Sequence, residues 1–76
     1  MKSLVGIQEE YIATVNAGIA RWSHRKDGGH AGRIARGARH RAEAALRRLG
    51  FTDSQVAAAI ADARDMAALL RISDAE

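Results

Sequence analysis

Residues 45–56, Ala-Leu-Arg-Arg-Leu-Gly-Phe-Thr-Asp-Ser-Gln-Val, contain the signals that end one helix and start another. Gly50 suits the left-handed backbone conformation that closes a helix, because glycine has no Cβ to clash there. Phe51 then comes within contact range of Leu46, which is the apolar pairing of a Schellman motif. The pattern predicts that a helix ends at about residue 49.

The next helix has its own start signal. Thr52 and Gln55 have the spacing of a capping box, in which each side chain bonds to the backbone N–H of the other residue. Phe51 and Val56 are placed to form a hydrophobic staple around that cap. We therefore expect a helix to begin at Asp53, after a tight corner.

The N-terminal part of the chain has the apolar spacing of a long amphipathic helix. Large apolar residues recur every three or four positions and predict helix 1 at about 4–24. They are Leu4, Ile7, Tyr11, Val15, Ile19 and Trp22, and Val5 and Ile12 widen the face. The resulting arc of roughly 160° exceeds what one neighbouring helix covers. Helix 1 is expected to pack against two helices, or against one helix and a second subunit.

Between helix 1 and the corner, residues 27–32 contain three glycines and predict a loop. Helix 2 follows at about 31–49, and helix 3 at about 53–72. The predicted buried side of helix 2 consists of Ile34, Ala38, Ala42, Ala45, Leu46 and Leu49. That of helix 3 consists of Val56, Ala59, Ile60, Ala63, Met66, Ala67 and Leu70, with Leu69 and Ile72 off the face.

Composition supports the same fold class. The chain has no proline, the strongest helix breaker, and it is rich in alanine, the best helix former. The prediction is an all-α protein with one small three-helix domain over residues 1–76. A chain of 76 residues buries only about 60% of its unfolded surface. We therefore expect a homodimer that covers spare apolar surface of helix 1 together with Leu69 and Ile72.

Several function classes lack their residues in this sequence. There is no cysteine, and His24, His30 and His40 have spacings of six and ten that match no common zinc pattern. We find no catalytic triad, paired carboxylate cleft or nucleotide-binding loop, so we expect no metal, no cofactor and no enzyme activity.

No signal peptide or membrane-length apolar run is present, which predicts a cytoplasmic protein. The Ala and Arg content favours a GC-rich genome, bacterial or phage.

Charge is distributed unevenly along the chain. Residues 21–48 hold nine Lys or Arg against two acids, a net charge of +7, whereas residues 49–76 hold two Arg against five acids, a net charge of −3. On helix 2, one face carries Arg33, Arg36, His40 and Arg47, and Arg39, Arg41 and Arg48 flank it. Such a stripe can bind phosphates without reading sequence, dock an acidic protein surface, or remain a solvated face. The absence of interleaved aromatic residues argues against base stacking on single strands.

Residues 45–56 resemble the turn of helix-turn-helix DNA-binding domains, in which a leucine-glycine-apolar step leads into a polar helix start and a buried valine. The resemblance implies that helix 3 reads DNA. The sequence departs from that pattern, because Leu46 stands where the family usually has a small residue. The would-be reading positions are Thr52, Asp53, Ser54, Ala57, Ala58 and Ala61. These positions supply none of the Arg, Lys, Asn or Gln side chains that read bases, and nearby aspartates repel phosphate.

The Leu-Gly-Phe turn is also similar to the first loop of ubiquitin-associated-like three-helix modules, which bind other proteins. The generic chemistry of a tight helix corner explains the same residues. We therefore expect a small non-enzymatic regulator or inhibitor that acts by protein–protein interaction, with Trp22, Leu69 and Ile72 at the interface. The alternative is a nucleic-acid-binding protein that uses the basic face of helix 2.

Overall fold

The chain forms three helices in a computed structural model that describes residues 3–22 and 28–75. They are α1 (Leu4–Trp22), α2 (Gly28–Arg48) and α3 (Asp53–Ala75), and the described ranges contain no strand. This confirms the all-α, three-helix prediction. The end of helix 1 at residue 24 lies outside the described residues, and α3 continues three residues past its predicted end.

The beginning of α2 corrects the sequence analysis. The helix already includes residues 28–32, which the glycines had predicted to be a loop. Glycine costs a helix about 1 kcal/mol per residue, a penalty that tertiary packing can offset. Here His30 packs edge-on against the Trp22 ring with 4.3 Å between ring centroids. The contact anchors the first turn of α2, and His30 is partly buried there.

The corner between α2 and α3 has the predicted geometry. Gly50 has a φ of 95°, and the two bonds of a Schellman motif are present, from Phe51 N to Leu46 O at 3.3 Å and from Gly50 N to Arg47 O at 3.0 Å. The capping box is also formed. Thr52 N donates to Gln55 Oε1 at 2.9 Å, and Gln55 N donates to Thr52 Oγ1 at 3.2 Å. At the end of α2 and at the start of α3, backbone groups therefore find hydrogen-bond partners within the corner itself.

The core is built around α1, which packs against both other helices, whereas α2 and α3 have the least extensive contact with each other. It joins Ile7, Tyr11 and Val15 of α1 to small residues of the other helices and to two fully buried side chains near the corner, Leu46 and Val56. The wide apolar arc of α1 is thus used largely within the chain. Val5 remains exposed on α1, and Leu49, predicted to be buried, is also exposed because the chain turns away beside it.

Polar side chains fix the register between α1 and α3. Gln8 Nε2 donates to Ala59 O at 3.0 Å, and Asn16 Nδ2 donates to Ala67 O at 3.3 Å. Eight residues further along α1 correspond to eight residues further along α3, so the two helices run parallel. Arg71 Nη1 donates to Asn16 Oδ1 at 2.7 Å and completes the link.

The packing of α3 against α1 differs from the prediction at two core positions. Met66 and Leu70 are exposed, although the apolar spacing placed them on the buried face. Arg71, through its bond to Asn16, marks the side of α3 that faces α1. At 100° per residue, Met66 and Leu70 lie on the opposite edge, toward α2, where helix contact is least extensive. The predicted exposure of Leu69 and Ile72 is confirmed.

The left-handed conformation of Gly50 yields a stability prediction. A Cβ added at this position would meet nothing within 4 Å, so the effect of Gly50→Ala comes from the backbone alone. We expect it to lower the free energy of unfolding by about 1–2 kcal/mol. Gly32→Ala is the matched control, since its added Cβ also meets open space but its backbone is helical. It should raise stability by about 0.5–1 kcal/mol. Urea denaturation measures both, and equal shifts would contradict the helix-ending role of Gly50.

Candidate interaction surfaces

Four large apolar side chains are exposed on the C-terminal part of α3. Met66 is 49% exposed, Leu69 60%, Leu70 43% and Ile72 62%. We call these four residues the α3 patch. They fall within seven consecutive positions, and each is long enough to enter a pocket on another molecule. Of these four, only Leu69 and Ile72 had been predicted as interface residues. Met66 and Leu70 join them because they lie away from the side of α3 that faces α1.

Two acidic residues border the α3 patch. Asp62 lies one turn before Met66 and Asp65 one turn before Leu69, so each carboxylate is next to an apolar side chain on the helix surface. Both are exposed, and neither has an ion-pair partner in the part of the chain that the structure describes. The surface combines an apolar centre with a negatively charged edge.

Trp22, the third predicted interface residue, packs against α2. Its ring has the His30 imidazole at its edge, and the guanidinium carbon of Arg21 lies 5.5 Å from the ring centroid. The ring is partly buried and borders a shallow groove between α1 and α2, beside Gly18 and Ile34. The structure therefore gives Trp22 a packing role at the end of α1 and leaves part of the ring accessible.

The predicted basic residues of α2 are all exposed, and three of them surround one carboxylate. Glu43 Oε1 lies 3.7 Å from Arg39 Nε and 3.8 Å from His40 Nδ1, and its Oε2 lies 4.0 Å from Arg47 Nη2. Arg47 Nε also donates to Asp53 Oδ1 at 3.3 Å. Arg39 and Arg47 thus have part of their charge balanced within the chain.

The remaining arginines of α2 have no such partner. Within the described residues, no carboxylate forms an ion pair with Arg33, Arg36, Arg41 or Arg48, and all four are exposed. We call these four residues the α2 arginine face. The sequence analysis gave Arg41 and Arg48 flanking positions, but both lack a carboxylate partner among the described residues, as Arg33 and Arg36 do.

The α2 arginine face is divided into two rows. At 100° per residue, Arg33 and Arg36 lie on one side of the helix, and Arg41 and Arg48 lie roughly 100° around it. The strip between the rows holds Gly37 and Ala44. The outer surface of α2 therefore has positive charge on both sides of a centre of small residues, and the Arg41 side chain reaches over that centre, with its Nη1 3.5 Å from a Cβ placed on Gly37.

The corner that resembles a helix-turn-helix carries negative charge at the start of α3. Asp53 has a side chain that is 92% exposed, and its carboxylate contacts Arg47. Neighbouring Thr52 and Ser54 are exposed but short. The geometry of the corner is explained by its two caps, and its cations, Arg47 and Arg48, stand at the end of α2 and not at the start of α3.

Chemical sites of other kinds are not assembled in the described ranges. Residues 3–22 and 28–75 contain no group of three His, Asp or Glu side chains placed to hold a metal ion. They also contain no buried charged side chain. Among these same residues, no helix is both long and apolar enough to cross a membrane. His24 lies outside the described residues.

In comparisons with known proteins, no family model, no curated protein and no solved structure matches the chain.

Proposed function

We propose that the protein is a small non-enzymatic regulator or inhibitor that docks on a protein partner, and that the α3 patch is its docking surface. The observation that carries the proposal is the exposure of four large aliphatic side chains on one helix. Fully burying a Leu, Ile or Met side chain stabilises a complex by about 1.5–3 kcal/mol. Contiguous exposed apolar patches with a polar rim mark sites of protein–protein interaction.

The acidic border defines the chemistry of the partner surface. A partner that covers Met66 and Leu69 brings its own side chains close to Asp62 and Asp65. Leaving these carboxylates next to an acidic partner would be repulsive, whereas Lys or Arg at the partner's edge would be attractive. The complementary surface is therefore apolar at its centre and basic at its rim.

We extend the proposal to self-association through the same residues. A twofold dimer brings the same patch of both copies together, so Leu69 and Ile72 would be covered by their own counterparts. A second copy supplies no basic rim, so this dimer requires Asp62 and Asp65 to stay solvated at its edge. The apolar arc of α1 no longer supports a dimer, because α2 and α3 cover it within the chain. The α3 patch alone carries the homodimer, and the dimer and the partner complex then exclude each other.

An affinity experiment tests the docking surface. The tagged protein is used to capture partners from the cells that encode it, after nuclease treatment, and is compared with Leu69→Asp/Ile72→Asp. Both changes lie on exposed positions, so the fold should remain while the captured partner is lost. Val5→Asp is the matched control, because Val5 is 58% exposed and lies on α1. Loss of the partner in the control, or its retention in the double variant, would contradict the assignment.

A further inference from the structure

We propose that the α2 arginine face is a second binding site, which takes the phosphate backbone of double-stranded DNA without reading its sequence. This inference concerns a surface separate from the α3 patch and is independent of the protein-docking function. It rests on the pairing of the arginines, on their arrangement in two rows and on the composition of the strip between them.

The ion pairs of α2 show which of its arginines are available to a ligand. Arg39 and Arg47 contact Glu43, whereas Arg33, Arg36, Arg41 and Arg48 have no carboxylate partner within the described residues. These four exposed guanidinium groups leave uncompensated positive charge along one side of α2. A polyanion with regularly spaced charges compensates that charge at all four positions.

The composition of the surface favours phosphate over an acidic protein. Arginines contribute strongly to protein interfaces when they surround a well-packed, desolvated centre, and the centre between these rows offers only the small residues Gly37 and Ala44. The affinity of this surface must come from charge, which is the main source of non-specific DNA binding. The exposed arc of α2 also has no Phe, Tyr or Trp side chain, the rings on which single-stranded bases stack best.

The two rows fit the shape of a duplex. A helix with its side chains is about 10–12 Å across, and the major groove of B-DNA is about 12 Å wide. With Gly37 and Ala44 toward the base edges, the row of Arg33 and Arg36 faces one phosphate strand. The row of Arg41 and Arg48 then faces the other strand. From Arg33 to Arg48 the helix rises by roughly 22 Å, enough to follow several phosphates of each strand.

Binding to a fluorescently labelled duplex of random sequence, followed by anisotropy over a salt series, tests the proposal. Four phosphate contacts predict a slope of log affinity against log salt of about −3.6. The affinity should therefore fall roughly 150-fold between about 50 and 200 mM salt. Sequence-independent binding predicts the same affinity for duplexes of different base composition.

Two double variants and one control locate the site. Arg33→Gln/Arg36→Gln and Arg41→Gln/Arg48→Gln should each reduce the steepness of the slope by about 1.8. Each should weaken binding at about 50 mM salt on the order of 100-fold. Arg64→Gln removes one positive charge from an exposed position on α3, half of what each double variant removes, and should change both quantities little. Unfolding midpoints for all three variants verify that the fold is retained.

Several results would overturn the proposal. They are no binding to the duplex at low salt, a slope near zero, and an equal loss of affinity in Arg64→Gln. Competition by polyglutamate as effective as by unlabelled duplex would assign the face to an acidic protein. Equal affinity for single-stranded DNA or for an RNA duplex would contradict the placement of α2 in the major groove, because A-form RNA has a deep, narrow groove that a helix cannot enter.

Discussion

Replacing Leu46 by alanine is expected to lower the free energy of unfolding by about 2–5 kcal/mol. Leu46 is fully buried, with 0% exposure, and it belongs to a core made mostly of alanine on α2 and α3. Few large side chains are available to move into the space that the substitution leaves. Since domains of this size have small stabilities, on the order of 5 kcal/mol, a loss near the upper end of this range would leave the variant partly unfolded at room temperature.

The same substitution at an exposed leucine is the control. Leu69→Ala removes the same three carbon atoms from a side chain that is 60% exposed, so stability should change by no more than about 0.5 kcal/mol. Chemical denaturation followed by circular dichroism measures both variants. A similar loss in the two would mean that the packing around the corner does not dominate the stability of the fold.

Replacing Gly18 by valine is expected to destabilise the protein by about 1–3 kcal/mol, because the added carbons overpack a close contact between α1 and α2. A Cβ at this position would already lie 3.0 Å from Cγ2 of Ile34 and 3.4 Å from its Cβ. The γ-methyl groups of valine extend further, so Ile34 or the helices must shift. Gly18 thus sets how closely α1 approaches the N-terminal part of α2.

Gly37→Val provides the comparison for this prediction. Gly37 is also helical, but the nearest atom to its added Cβ is Nη1 of the flexible Arg41 side chain at 3.5 Å. Its effect should stay within about 0.5 kcal/mol. A double-mutant cycle of Gly18→Val with Ile34→Ala should show positive coupling, since the smaller residue makes room for the valine. Additive effects would contradict the close contact.

The parts of the fold that depend on neighbouring residues follow from the sequence. The corner needs only Gly50 and the Thr52–Gln55 pair, which are within six positions of each other, and the structure has the predicted bonds. Helical periodicity likewise predicts the three helices and the buried face of α1. These features are local, so a single sequence contains enough information for them.

The parts of the fold that depend on contacts between distant residues could not be predicted from the sequence. The helical start of α2 at Gly28 is supported by the contact of His30 with Trp22, and no local pattern predicts that contact. The exposure of Met66 and Leu70 follows from which side of α3 faces α1, the side that the bond from Arg71 to Asn16 marks. The signal that could have indicated it is the pair of polar residues Gln8 and Asn16, which interrupt the apolar side of α1 at a spacing of eight.

The candidate surfaces also divide into features that local sequence predicts and features that depend on distant contacts. The sequence predicted that the α2 cations share a face, because helical periodicity is enough for that conclusion. It could not show that Glu43 engages Arg39 and Arg47 while Arg41 and Arg48 stay unpaired, since that depends on side-chain geometry. The sequence also predicted half of the α3 patch, and helix packing supplied the rest.

Site-specific photo-crosslinking tests most directly whether the α3 patch is a docking surface. A photoreactive amino acid replaces Leu69 in one variant and Val5 in another, and both are irradiated in the cells that encode the protein. The two positions are equally exposed, at 60% and 58%, but only Leu69 belongs to the patch. The proposed function predicts a distinct crosslinked product at position 69, either with another protein or at twice the mass of the chain, and none at position 5. No product at position 69, or the same products at both positions, would contradict it.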